Sequence, residues 1–123
     1  MGTEQEAVVR SLLACVAAGD AERAADHYSE DASYSYPPWR EPIVGRDAIR
    51  AALRKLFASC FAELRYTIVN IASTDAVVFT ELTDTYNRNG HDVTMRWSSV
   101  TEINEKREIT AQRDYFDTRE LDA

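Results

Sequence analysis

At Glu63 the hydrophobic repeat of this chain changes from helical spacing to a period of two. Four stretches then alternate, LRYTIVNIAS, AVVFTELTDTYNR, HDVTMRWSSVTEI and REITAQRDYFD, with short connections between them. Period-two alternation marks a strand with one buried face. Between the second and third stretches stands Asn89-Gly90, two residues that tolerate positive φ and so close two-residue hairpins. A second half built as a hairpin-linked meander must bury one face, and the first half has to supply the cover.

The first half reads as helices. Val8, Leu12, Cys15 and Val16 recur at helical spacing, which predicts a helix over 4–18 stopped by Gly19. Asp20 is placed to cap a second, short helix through Tyr28 that packs Ala21, Ala24, Ala25 and Tyr28. ASYSYPPW alternates briefly before Pro37-Pro38, which predicts a strand over 32–36 and then a loop. GRDAIRAALRKLFASCF is the clearest helix, with Ile49, Leu53, Leu56, Phe57 and Cys60 on one face. Asp47 lies in its first turn, where the helix dipole favours an acid. About three helices followed by a curved antiparallel sheet make an α+β fold. With 123 residues, 45% of them hydrophobic, the chain suits a single domain over 1–123 with one modest core.

Charge and composition narrow the partners. A net charge of −7 argues against a nucleic-acid backbone, and no run is long and apolar enough to span a membrane. The start, MGTEQEAVV, lacks the basic region of a signal peptide and has Glu6 where myristoylation wants Ser or Thr, so the expected location is cytoplasmic. Cys15 and Cys60 read as buried free thiols on helix stripes. His27 and His91 stand at no ligand spacing from Cys or Glu, so no metal is expected. His27 is expected on the exposed side of the second helix.

The hairpins set a register. If Asn89-Gly90 is the turn, Arg88 faces His91, Tyr86 faces Val93, Asp84 faces Met95 and Leu82 faces Trp97. If Glu105-Lys106 turns the next hairpin, Trp97 faces Asp114. One face then carries Val78, Thr80, Leu82, Asp84 and Tyr86, then Met95, Trp97 and Ser99, then Gln112, Asp114 and Phe116. Strands disfavour Asp, and a buried carboxylate is costly. Two of them among Leu, Trp, Met and Phe are hard to explain by packing. Either they are the acids of a site, or they lie at the sheet rim, hydrogen-bonded to backbone or solvated. Strands two apart lie roughly 10 Å from each other, leaving room for a small substrate between Asp84 and Asp114. Desolvation raises a carboxyl pKa there, so one acid can donate a proton while the other accepts. Arg96 alternates with Met95 and Trp97 and should point away, while Arg113, Asp117 and Arg119 read as outward ion-pair partners.

GRDAIRAALRKLF, VFTELTDTY and ITAQRDYFDTREL, in this order and spacing, resemble the limonene epoxide hydrolase family within the SnoaL-like group of the nuclear transport factor 2-like superfamily. The resemblance runs over about residues 20–121. It implies a cone-shaped fold, a bent sheet wrapped round helices, a deep apolar pocket for a small hydrophobic substrate, and a homodimer. In that family one Asp is general base on a water held also by a Tyr and an Asn. A second Asp protonates the epoxide oxygen, and an Arg bridges the acids, without cofactor, metal or covalent intermediate. Carried onto this chain, Asp114 matches the base, Asp84 the acid and Tyr34 the water-holding Tyr. Pocket-wall positions fall on Leu56, Tyr86, Met95, Trp97, Phe116 and Leu121.

Two positions depart from the pattern: Leu82 stands where the family has Arg, and Tyr36 where it has Asn. A Tyr hydroxyl both donates and accepts, so Tyr36 can hold water or substrate in place of the Asn. Without the Arg, two acids facing one apolar pocket should share a proton at neutral pH. Three functions stay open. One is epoxide hydrolysis by paired Asp general acid and base. Another is an isomerase, dehydratase or epoxide-opening cyclase on a polyketide or terpenoid, favoured by the drier pocket that Leu82 and Trp97 would make. The third is a non-catalytic small-molecule-binding module.

Overall fold

The computed structural model describes residues 2–37, 40–59, 62–117 and 119. Its elements are α1 (Thr3–Ala17), α2 (Ala21–Ala25), β1 (Tyr28–Ser35), β2 (Ile43–Val44), α3 (Arg46–Ser59), β3 (Ala62–Ser73), β4 (Val77–Arg88), β5 (His91–Ile103) and β6 (Ile109–Tyr115). The strands form one curved, open sheet in the order β2-β1-β6-β5-β4-β3, and the helices cover one face of it. This is the α+β architecture that the change of period implies. Cys60 and Leu121 lie outside the described residues.

The helix boundaries follow local chemistry. Gly19, at φ 70°, lets α1 end in a tight reverse turn, with Gly19 N–H donating to the Val16 carbonyl and Asp20 N–H to that of Cys15, both at 3.0 Å. The Asp20 carboxylate then accepts from Arg23 N–H at 3.0 Å and caps α2. Here the sequence expectation needs correcting. The second helix stops at Ala25, and Tyr28 opens a strand, because Ile109 of β6 donates its N–H to the His27 carbonyl and Tyr28 pairs with Ile109. That pairing is parallel, so the sheet is the antiparallel meander β3–β6 with β1 added in parallel along β6 and the short β2 antiparallel beyond it. His27 is half-buried, its Nε2 lying 2.8 Å from Ser11 Oγ on α1.

The β4–β5 hairpin has the expected register throughout, from Arg88–His91 to Leu82–Trp97, and both turn residues carry positive φ. The β5–β6 hairpin does not. Asp114 pairs with Ser99, two residues beyond the expected Trp97. The turn is wider because Asn104 organises it: its Oδ1 accepts from Lys106 N–H at 3.0 Å and Glu108 N–H at 2.9 Å, and Arg107 takes φ 63°. A bulge between Glu102 and Ile103 adds the remaining residue. A slip of two preserves which face each side chain occupies, so Asp84, Trp97 and Asp114 still share one face.

Two clusters of buried side chains lie between sheet and helices. The larger joins Val9 and Leu12 of α1, Ile49 and Leu53 of α3, and Tyr28, Val78, Ile103 and Ile109 of the sheet. Burying each of its large aliphatic side chains stabilises the fold by about 1.5–3 kcal/mol. The smaller joins Leu64, Tyr86, Val93 and Met95. Between them the packing opens into a cavity. On the outside, Arg113 pairs with Glu102 at 2.6 Å and Arg119 with Asp117 at 2.7 Å, while Arg96 is exposed. Among the described residues, no helix is long and apolar enough to cross a membrane.

Candidate active site

Asp114 leaves the inward face of β6, between β1 and β5, and is 5% exposed. Each neighbouring element sends it a donor. Tyr34 of β1 donates its O–H to Asp114 Oδ2 at 2.5 Å, and Ser99 of β5 donates to Oδ1 at 2.7 Å. Gln112, two residues back on β6, donates Nε2–H to Oδ1 at 3.2 Å. The Gln112 amide is fixed in turn by Tyr28, whose O–H donates to Oε1 at 2.6 Å. Burial, and then the charge of Asp114, push the Tyr28 and Tyr34 hydroxyls well above their ordinary pKa, so both remain donors. Burial also raises the Asp114 carboxyl, against the pull of its three hydrogen bonds.

Asp84 stands in a different environment. It is 8% exposed on the inward face of β4, level with Met95 of β5. Among the described residues the donor that approaches it is the Trp97 indole N–H, which stops short of hydrogen-bonding geometry and leaves Nε1 buried without a partner. Burial, reinforced by the negative charge of Asp114, pushes the Asp84 carboxyl up to about 7, with Trp97 working the other way. Two buried acids therefore differ in what holds them. Asp114 has three donors that favour its charged form; Asp84 has no such set, and its carboxyl is pushed up to about 7.

Both acids line one cavity of about 140 Å³. That is smaller than the roughly 300–1,000 Å³ of sites for drug-sized ligands, so its occupant is small. Its walls are mostly apolar, with Leu12, Leu13 and Val16 from α1 and Leu53, Leu56 and Phe57 from α3. Tyr34, Tyr36, Leu82, Trp97 and Phe116 face it as well, the Tyr34 and Tyr36 rings 4.8 Å apart and those of Trp97 and Phe116 4.4 Å apart. The register puts Leu82 level with Trp97, so an apolar row of Leu82, Trp97 and Phe116 separates the acids. Tyr86 and Met95, expected on the pocket wall, are instead packed behind it with Leu64 and Val93, the Tyr86 hydroxyl 3.6 Å from Met95 Sδ.

Several lining residues were not anticipated. Ser99 and Gln112 shared the inward face in the register but had no assigned part. Tyr28 was hidden by its assignment to a helix. Arg40, an exposed residue beyond the Tyr36-Pro37 cis peptide, borders the cavity from a loop that no periodicity describes. Among the described residues, no three His, Cys, Asp or Glu side chains cluster as metal ligands.

The buried chain from Tyr28 through Gln112 to Asp114 makes a prediction. Tyr28→Phe should destabilise the fold by about 1–3 kcal/mol, because the Gln112 carbonyl loses its partner inside the protein. It should also make Asp114 easier to protonate, since the amide that helps hold it charged is freed to turn. Urea unfolding and carboxyl NMR would measure both, and an unchanged midpoint together with an unchanged titration would show that Tyr28 does not hold the amide.

Compared with known families, residues 9–112 match the family model described as the SnoaL-like domain.

Proposed function

The chain belongs to the SnoaL-like domain family of the nuclear transport factor 2-like superfamily, and on that premise we propose a cofactor-independent acid–base enzyme acting on a small hydrophobic molecule. Asp84 gives the proton and Asp114 takes one. The supporting observation is the contrast between two buried carboxyls in one apolar cavity, one held by three donors and one by none. Opening of a small epoxide by water fits this division: a protonated Asp84 meets the ring oxygen, and a charged Asp114 draws the proton from water. Tyr34 bonds Asp114 directly, and Tyr36, whose ring lies 4.8 Å from that of Tyr34 and which lines the same cavity, would hold the water or the substrate.

A second reading has its own support. Both Asp114 oxygens already accept protein donors, and Leu82 stands where a cation would link the acids, so the pocket favours a reaction in which water takes no part. Isomerisation, or cyclisation by an internal hydroxyl, would use the same two acids. A homodimer belongs to the same proposal, with exposed Val69, Phe79 and Tyr115 on the outer sheet face as the surface it would cover.

The test is a panel of small epoxides in ¹⁸O-labelled water. A diol carrying the label is the expected product. An unlabelled rearranged product would move the assignment to the second reading. No conversion by folded protein would end both and leave a binding module.

A further inference from the structure

Of the buried donors that lack a hydrogen-bond partner among the described residues, Arg50 Nε, Thr80 Oγ1 and Trp97 Nε1, the indole is the one whose residue lines the cavity of the two acids. Trp97 Nε1 is enclosed and, among the described residues, has no hydrogen-bond partner. Buried donors in native proteins are almost always paired, and a bare one is costly, so an unpaired N–H beside a cavity asks what pairs it. The indole is not free to seek water. Phe116 packs against it at 4.4 Å with planes inclined by 49°, and Leu82 lies directly across the strand pair. Asp84 is its diagonal neighbour, since Asp84 pairs with Met95, two residues before Trp97 on β5. Both side chains line the same cavity. A carboxylic acid and an indole N–H thus stand side by side at an apolar wall, each with a hydrogen to give.

We propose that Asp84 and Trp97 form a two-donor cradle for a single neutral oxygen atom of the bound molecule, the carboxyl O–H and the indole N–H both donating to it. The inference rests on the proposed function for the identity of the proton donor and extends it to the ligand. The ligand class is a small apolar molecule with one accessible acceptor oxygen, an epoxide or a ketone. Hydrocarbons lack the acceptor, and ammonium ions would offer donors to donors. Two neutral donors suit an oxygen that is uncharged when it binds and gains charge as its bond to carbon breaks. In epoxide opening, the C–O electron pair stays on that oxygen and takes the Asp84 proton. The carbon bonds to the oxygen of water, and the proton of that water goes to Asp114. Trp97 then faces the carboxylate that Asp84 has become, so the same N–H serves both ends of the step.

The experiment needs no turnover. Cyclohexanone and methylenecyclohexane have nearly the same shape and differ in a C=O against a C=CH₂. Each is titrated into the ¹⁵N-labelled full chain at a pH below 7, where Asp84 holds its proton. The Trp97 indole peak is assigned by its absence from Trp97→Phe or, if that variant does not fold, by elimination in Trp39→Phe. Cyclohexanone should move the indole N–H downfield and methylenecyclohexane should leave it in place. Trp97→Phe should weaken cyclohexanone binding roughly tenfold, the loss of one hydrogen bond, and leave the hydrocarbon unchanged. The proposal is overturned if cyclohexanone binds no better than the hydrocarbon, or binds without moving the indole. Hydrolysis can fail while the cradle stands, and the reverse, because binding alone is read.

Discussion

Asp114→Asn should lower turnover by roughly 10²–10⁴-fold, the usual contribution of a general base, while the protein stays folded. The substitution keeps the shape of the side chain and most of its hydrogen bonds. The Asn carbonyl can accept from Tyr34, and the new amide can donate to Ser99, whose hydroxyl both accepts and donates. Gln112 would face the amide donor to donor, but turning its own amide lets Oε1 accept and leaves an N–H for Tyr28. What is lost is a group able to take a proton. Steady-state kinetics on a substrate turned over by the wild type, with a thermal melt beside it, measures the effect. A folded variant with near wild-type turnover would assign Asp114 a purely structural part.

The second large effect is on stability against pH. The Asp84 carboxyl ordinarily ionises at 3.8 and in the folded chain at about 7. Between those values the folded chain keeps a proton that the unfolded chain has released, so each step up in pH favours unfolding. Stability is therefore fullest below about 3.8 with respect to this group and is lost progressively as pH rises through about 7. At 1.36 kcal/mol per pKa unit, the loss is on the order of 4 kcal/mol, a large fraction of the 5–15 kcal/mol typical of a domain. Asp114 is also raised and adds to the slope in the same direction. Asp84→Asn removes the Asp84 contribution, so its unfolding free energy should vary less over this range. Urea midpoints at a series of pH values test this. Parallel slopes for wild type and variant would show that Asp84 titrates normally and lies at a hydrated rim.

The sequence made one kind of information plain and concealed another. Parity along a strand is written in the chain, so the common face of Asp84 and Trp97 follows from alternation and the Asn-Gly turn. That of Asp114 follows from a turn at Glu105-Lys106 whose register is two off but whose parity is right. Position along a strand was written only where the turn was simple. Asn104 widens the β5–β6 turn with its side chain, and no counting of alternating residues reveals that. Asp114 consequently sits with Ser99, and the row across from Leu82 ends in Phe116. Tyr28 was assigned to a helix because the alanines before it are helical, whereas its conformation is set by Ile109, far away in the chain. The family resemblance puts Tyr86 and Met95 on the pocket wall, and they do lie on its face of the sheet. Depth along that face, which decides between wall and core, depends on how the helices sit on the sheet.

The parallel pairing of β1 with β6 has a consequence for the order in which parts of the molecule become available. Tyr34 and Asp114 are 80 residues apart, and Tyr28 and Gln112 are 84 apart. The meander from β3 to β6 closes through short turns and already contains both acids, the indole and Ser99. Contacts between distant segments carry the largest loop-closure cost and are the slowest kind to form. A chain that has zipped up its meander alone would own Asp84 and Asp114 but neither phenol, and its β6 edge would still be bare. Tyr34 and Tyr28 arrive only when the front of the chain docks on that edge. The step that shields the sheet from pairing with a second unfolded chain is thus the same step that completes the site.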